Sequence, residues 1–295
     1  AVLKNDAGGI GLFRSEFLYL ENETYPTEEE QFEVYKRAAV ICKNKVLTIR
    51  TLDIGGDKDI PYMGLTKESN PFLGYRAIRF CLGRIDVFTT QLRAILRASA
   101  YGNIRIMLPL ITGVSEVRSV RTILQNVMRE LDSKEIPYDK DILLGVMIET
   151  PAACMLADIL AKEADFFSIG TNDLTQYTIA VDRGNENVAY LYSAFHPAVL
   201  RSVKRIIECA KRENIEVGMC GEAAGNPAMI PLLLAFGLDE FSVTASKVLE
   251  TRKNIASWTM KEAAAVTDTV MGMSTEKEVS AYLSDYIATK MSNGK

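Results

Sequence analysis

The chain has 295 residues, a length that suits a (β/α)8 barrel of about 250 residues or more, and its 34 Lys and Arg against 38 Asp and Glu give a formal net charge of -4. Neither sign forms long blocks, which argues against a nucleic-acid surface or an acidic tail and favours a small partner. No apolar run approaches the roughly 20 residues of a membrane span, and the five cysteines, Cys42, Cys81, Cys154, Cys209 and Cys220, are odd in number and lack Cys-x-x-Cys spacing, as expected of free thiols in a reducing cytoplasm.

The opening Ala-Val-Leu-Lys has neither a starting methionine nor the charged and apolar regions of a signal peptide, so the sequence is expected to be part of a longer cytoplasmic protein. Residues 8–17 form a short apolar run with glycines before it and charges after it, a buried strand whose end carries Arg14. Thr27 with Glu30 three residues on makes a capping box, and Phe32, Tyr35 and Ala39 follow at helical spacing. The β-branched run 46–52 predicts a second strand, again with an arginine, Arg50, near its end, and it enters the glycine turn 53–58.

An enlarged connection then holds the Asn70-Pro71-Phe72-Leu73-Gly74-Tyr75-Arg76 segment and helical patterns with Arg79, Arg93 and Arg97, placed to cover the mouth of a barrel. Strands follow at 104–108 and 143–148, separated by an amphipathic helix over 114–131. Glu149-Thr150-Pro151 comes directly after the fourth strand, where a carboxylate is costly to bury unless something charged meets it. A helix is predicted over 152–161 and a fifth strand from 166. That strand stops at Gly170 and delivers Asn172, Asp173, Gln176 and Arg183 within a few residues.

Helix 200–212, strand 217–222 with Cys220 between glycines, helix face 232–236 and strand 240–243 complete the alternation. The tail predicts two helices, one around Trp258 and one opened by a Thr275 to Glu278 capping box. Seven strands are visible and the eighth is not, so the fold expected is one α/β domain over 1–295, a (β/α)8 TIM-type barrel with C-terminal helices.

Parallel strands of such a barrel point the same way, so Arg14, Arg50, Glu149, Asn172, Asp173 and Cys220 are expected to converge at their carboxyl ends. Forked arginine donors suit phosphate and carboxylate, and Glu149 and Asp173 offer hard oxygens to magnesium. Each residue also has a plainer role. Arg14 can pair with Glu16 or Glu149, Cys220 can be a small core hydrophobe, Cys42, Cys81, Cys154 and Cys209 fit helix interiors, and His196 before Pro197 suits a cap or surface position.

Seven ordered motifs carry a resemblance. Gly-Leu-Phe-Arg-Ser-Glu-Phe at 11–17, Arg-Thr-Leu-Asp-Ile-Gly-Gly-Asp-Lys at 50–58, Asn-Pro-Phe-Leu-Gly-Tyr-Arg at 70–76, Glu-Thr-Pro-Ala-Ala at 149–153, Gly-Thr-Asn-Asp-Leu-Thr-Gln-Tyr at 170–177, Asp-Arg-Gly-Asn at 182–185 and Gly-Met-Cys-Gly-Glu at 218–222 resemble the C-terminal domain of enzyme I of the bacterial phosphoenolpyruvate:sugar phosphotransferase system. Phosphoenolpyruvate synthases and pyruvate phosphate dikinases share several of these motifs, but the segment 53–62 is similar to enzyme I.

The resemblance implies a phosphoenolpyruvate-binding, homodimeric barrel that uses Mg2+. By motif, Arg14, Arg50 and Arg183 hold phosphate and carboxylate with Arg76 as a further phosphate contact, Asn172 and Asp173 meet the substrate, and Glu149 and Asp173 bind the metal. Cys220 is implied to protonate the methylene carbon as pyruvate forms. It also implies that the phosphoryl group passes to a histidine in a Thr-Ser-His setting on a separate N-terminal domain, which docks the histidine-containing phosphocarrier protein at the start of sugar uptake. That motif is not in this sequence, and His196 does not match it. The alternatives are the corresponding domain of a synthase or dikinase, and a non-catalytic dimerisation module that senses phosphoenolpyruvate.

Overall fold

Short apolar runs that stop at arginine, glutamate, glycine or cysteine become strands, and the amphipathic runs between them become helices. The computed structural model describes residues 3–55 and 60–293. Gly56, Asp57 and Lys58 of the glycine turn therefore lie outside the described residues, as does Asp59. Among the described residues seven strands form one sheet in the order β1-β2-β3-β4-β5-β6-β7, the α/β-barrel class. Contacts within the chain group it into two compact units.

The first unit comprises residues 8–147 with 162–166. It contains β1 (Ile10–Arg14), α1 (Phe17–Leu20), α2 (Glu28–Cys42), β2 (Leu47–Arg50), α3 (Ile78–Gly83), α4 (Ile85–Ser99), β3 (Ile104–Leu108), α5 (Val114–Ser133) and most of β4 (Leu144–Ile148). The pairings are parallel, with Arg14 opposite Arg50 and Arg50 opposite Met107. Every residue of β2, β3 and β4 is buried, as a parallel sheet covered on both faces requires.

The Thr27–Glu30 capping box is formed in both directions and starts α2 one residue later. Helix α2 packs along α4 through Phe32, Tyr35 and Ala39. Arg97 of α4 lies 4.0 Å from the centroid of the Phe32 ring and pairs with Glu28 at 2.6 Å. Two of the arginines in the enlarged connection are thus helix-packing residues, since Arg93 joins Glu28 to Glu130.

The second unit comprises residues 1–7, 148–161 and 167–295. It contains α6 (Pro151–Met155), α7 (Ala157–Leu160), nearly all of β5 (Phe166–Gly170), α8 (Thr171–Ile179), α9 (Pro197–Arg212), β6 (Glu216–Cys220), α10 (Ile230–Phe236), β7 (Glu240–Phe241), α11 (Val248–Ala256), α12 (Met260–Met271) and α13 (Glu276–Asn293). The helix expected over 152–161 is two short ones, because Leu156 leaves helical geometry at φ -94 and ψ 11.

The tail holds three helices where two were expected. Trp258 sits between α11 and α12, and a second capping box, Thr259 with Glu262, starts α12. The predicted box of Thr275 and Glu278 is present before α13. His196 is the N-cap of α9, its Nδ1 accepting the Ala198 amide at 3.2 Å, so the imidazole has the capping role foreseen for it.

Candidate functional site

In the first unit the candidate arginines stand at the carboxyl ends of adjacent strands but in different surroundings. Arg14 ends β1 with its side chain exposed, and it makes no hydrogen bond or ion pair among the described residues. Glu16, one of the two partners considered for it, is turned instead to Arg50. The fork of Arg50 spans two carboxylates: Nη2 donates to Glu16 Oε1 at 2.8 Å, and Nη1 lies 3.0 Å from Asp53 Oδ2. Arg76 closes the chain, its Nη2 donating to Asp53 Oδ1 at 2.7 Å.

All four groups are buried. Two positive and two negative charges alternate there, which is how ionised groups persist away from water. Gly55 has φ +117, and a side chain there would overlap the Cβ of Arg76, so glycine lets the two loop backbones approach. Behind the ions lies a neutral network. Ser15 Oγ donates to the Arg50 carbonyl at 2.9 Å, and Gln91 Nε2 reaches both Ser15 Oγ and the Tyr35 hydroxyl. Burial and the charge of Asp53 push the Cys81 thiol up, as befits a core cysteine.

In the second unit the strand-end residues meet. Strand β5 stops at Gly170, and α8 begins at once, so Thr171, Asn172 and Asp173 fill its first turn, where amide N–H groups point outward and favour negative charge. Thr171 Oγ1 donates to the Cys220 carbonyl at 2.9 Å, joining that turn to the end of β6. Cys220 is buried, and its Sγ lies 3.6 Å from the Ile169 carbonyl oxygen. Gly221 follows with φ +97, and a side chain there would overlap Thr171 Oγ1 and come within 3.2 Å of Asn172 Oδ1. The glycine beside the cysteine is thus a requirement of close approach.

Arg183 approaches Asp173 at 3.7 Å, and its own N–H donates to Gln176 Oε1 at 3.1 Å. Glu149, 2% exposed and in the same unit, is the residue after the end of β4, directly before Thr150, which caps α6. Two carboxylates fit magnesium, which takes one or two from protein and completes its shell with water and substrate oxygens. Among the described residues no group of three or more His, Cys, Asp or Glu is placed to hold a metal ion.

Arg14 and Arg50 are therefore brought together in register, and Asn172, Asp173, Arg183 and Cys220 belong to one connected group. Three contributors were not among the site residues expected from the sequence. Asp53 and Glu16 stand two or three residues beyond strand-end arginines, a spacing that could have suggested pairing. Tyr192, whose hydroxyl donates to the Asn172 carbonyl at 3.1 Å, is 20 residues away in the chain and had no such signal.

Residues 1–260 match the family described as PEP-utilising enzyme, PEP-binding domain. The chain is 50% identical over 278 residues to the phosphoenolpyruvate-protein phosphotransferase of Priestia megaterium, covering 94% of this chain and 48% of that protein. For Geobacillus stearothermophilus the figures are 51% over 281 residues, covering 95% and 49%. For Staphylococcus aureus strain MSSA476 they are 48% over 286 residues, covering 97% and 50%. The chain spans about half the length of these relatives. Haloferax volcanii malate synthase, solved as a ternary complex with pyruvate and acetyl-CoA, is 13% identical, covers 90% of this chain and 67% of its own, and superimposes with a TM-score of 0.53, a likeness of fold alone.

Proposed function

Given that this chain belongs to the PEP-utilising enzymes through their PEP-binding domain, we propose that it binds phosphoenolpyruvate with Mg2+ and supports transfer of the phosphoryl group to a histidine on a separate N-terminal domain. The product released is pyruvate. The observation that carries the reading is the family match over residues 1–260, and the strand-end chemistry agrees with it.

Phosphoenolpyruvate carries a phosphate and a carboxylate. Arg14, exposed and without a partner among the described residues, has its whole guanidinium to offer to one of them. Arg50 and Arg183 add forked donors, and Arg76 stands as a further phosphate contact. Asn172 and Asp173 present polar groups at the α8 N-terminus. Glu149 and Asp173 would hold the ion, which would supply charge neutralisation to the phosphoryl oxygens.

When the bond between phosphorus and the enol oxygen breaks, the phosphoryl group goes to the imidazole nitrogen of the separate domain, and the electron pair stays on the oxygen as an enolate. The methylene carbon then takes the Cys220 proton, giving pyruvate and a thiolate. In reverse the thiolate removes a methyl proton. The burial of Cys220 at the end of β6, its Sγ close to the Ile169 carbonyl, agrees with a thiol in the acid role.

The 48–51% identity to phosphotransferases over nearly the whole chain favours this reading over a synthase or dikinase domain. The same reading makes the chain a homodimer that works in the cytoplasm, with the histidine-containing phosphocarrier protein as the next acceptor in sugar uptake. No described helix is long and apolar enough to cross a membrane.

Titration of phosphoenolpyruvate into the chain by calorimetry, with magnesium chloride and again with EDTA, tests it. Saturable heat only with the ion is expected, and its absence in both would sink the reading. Arg14→Ala and Arg183→Ala are expected to lose most of that binding. Fusion to the N-terminal phosphohistidine domain of an enzyme I, and to that of a synthase, reads out which acceptor is phosphorylated.

A further inference from the structure

The loop between α8 and α9 carries Arg183, and its construction assigns a role to a residue outside the motifs. Helix α8 ends at Ala180 in left-handed geometry, φ 54, which turns the chain back over its last turn. The Val181 amide donates to the Gln176 carbonyl at 3.0 Å, and the Arg183 amide to the Gln176 side chain at 3.1 Å. Asp182 and Asn185 then make two local turns. The backbone at 183 is held, but its side chain is 40% exposed and its ion pair to Asp173, at 3.7 Å, is long. An arginine side chain this exposed and this loosely paired keeps many rotamers, and ordering it on an anion costs conformational entropy.

The loop is tied down a second time, ten residues later. A short 3-10 turn, Ala189–Leu191, sends Tyr190 and Leu191 outward and turns Tyr192 inward. The Tyr192 hydroxyl donates to the carbonyl of Asn172 in the first turn of α8. The same phenol lies among charged side chains. Burial raises it most, the Arg183 charge opposes that, and the charges of Asp173 and Glu222 add to it. Three of its neighbours, Asn172, Asp173 and Arg183, are thus the residues read above as substrate contacts. On the far side Ser193 Oγ donates to Glu276 at the start of α13, so the segment is anchored at both ends.

We propose that Tyr192 is a positioning residue for anion binding: its hydroxyl ties the loop that carries Arg183 to the first turn of α8, so that the Arg183 guanidinium stands ready beside Asp173. The inference rests on reading Arg183 and Asn172 as phosphoenolpyruvate contacts. It goes beyond that reading in naming what holds them together, and the tyrosine acts through the arginine without touching the substrate.

A double-mutant cycle separates this from general loop stability. Phosphoenolpyruvate is titrated with magnesium chloride into the wild-type chain, Tyr192→Phe, Arg183→Lys and the double variant, with Tyr190→Phe as a control on the same loop and thermal melts of all five. Tyr192→Phe is expected to melt close to wild type and to bind roughly fivefold more weakly, the effect of losing one net hydrogen bond. In the Arg183→Lys background the same change is expected to add less than about twofold, because the fork it positions is gone. Wild-type affinity in Tyr192→Phe overturns the inference, as does a full loss in both backgrounds or an equal loss in Tyr190→Phe. If the wild-type chain itself does not bind, it is the functional reading that fails, and the inference goes with it.

Discussion

Arg14 and Arg50 are partners across β1 and β2, yet one is exposed and unengaged among the described residues while the other is buried between Glu16 and Asp53. The two therefore respond differently to truncation. Arg14→Ala is expected to leave stability within about 0.5 kcal/mol of wild type, as surface changes do, while binding is lost. Arg50→Ala leaves two buried carboxylates facing one arginine and is expected to cost roughly 3–5 kcal/mol, which urea unfolding would read. Equal stability of the two variants would contradict the ion chain described. Gly221→Ala is expected to cost about 1–3 kcal/mol for its φ alone and to displace Thr171 and Asn172, so unfolding and calorimetry should both register it. Cys220→Ser is the opposite case. It should bind phosphoenolpyruvate as wild type does, and joined to the N-terminal phosphohistidine domain of an enzyme I it should lose exchange of pyruvate methyl protons.

At the scale of elements, the helices declare themselves by their caps. Glu262 is held low, at about 2, first by the Thr259 amide and then by Lys290, and the carboxyls of Glu30 and Glu278 are lowered first by the Thr27 and Ser274 amides. A depressed carboxyl contributes stability above its unfolded value near 4.3 and loses it as pH falls toward the folded value. Stability measured by denaturant at fixed salt is therefore expected to drop between about pH 4.5 and pH 2. Glu262→Gln should flatten part of that slope, and an unchanged slope would show that the α12 cap does not contribute. The break at Leu156, the helix α8 and the separate tail helix α12 were not marked in the sequence. Alanine-rich 152–161 has helical propensity throughout, and propensity does not say where tertiary packing will interrupt it.

At the scale of the molecule, the alternation of strand and helix is the feature on which the α/β-barrel class rests, and the shared fold with a malate synthase at 13% identity shows how little sequence that alternation needs. The proposed chemistry gives the whole chain a further expectation. A ligand that binds only the folded state raises its melting temperature by mass action, so phosphoenolpyruvate with magnesium should shift the thermal transition upward and the ligand with EDTA should not. Sedimentation of the same samples would show whether the chain is a dimer and whether the ligand strengthens it.

Periodicity, glycines and capping boxes are local properties, and they were enough to mark seven strands, most helices, and the polar residues left where strands stop. The polar residues at 14, 50, 149, 172, 173 and 220 stood out for the same reason, since each lies at or just past the end of an apolar run, whereas Arg183 in its polar loop was marked by its motif alone. What the sequence could not decide was which charge meets which. Arg50 and Arg76 are tied to Asp53 while Arg14 is left open, and Tyr192 reaches back 20 residues to the first turn of α8. Those choices follow from strand register and loop return, which bring distant residues within hydrogen-bond reach, and they belong to the tertiary structure alone.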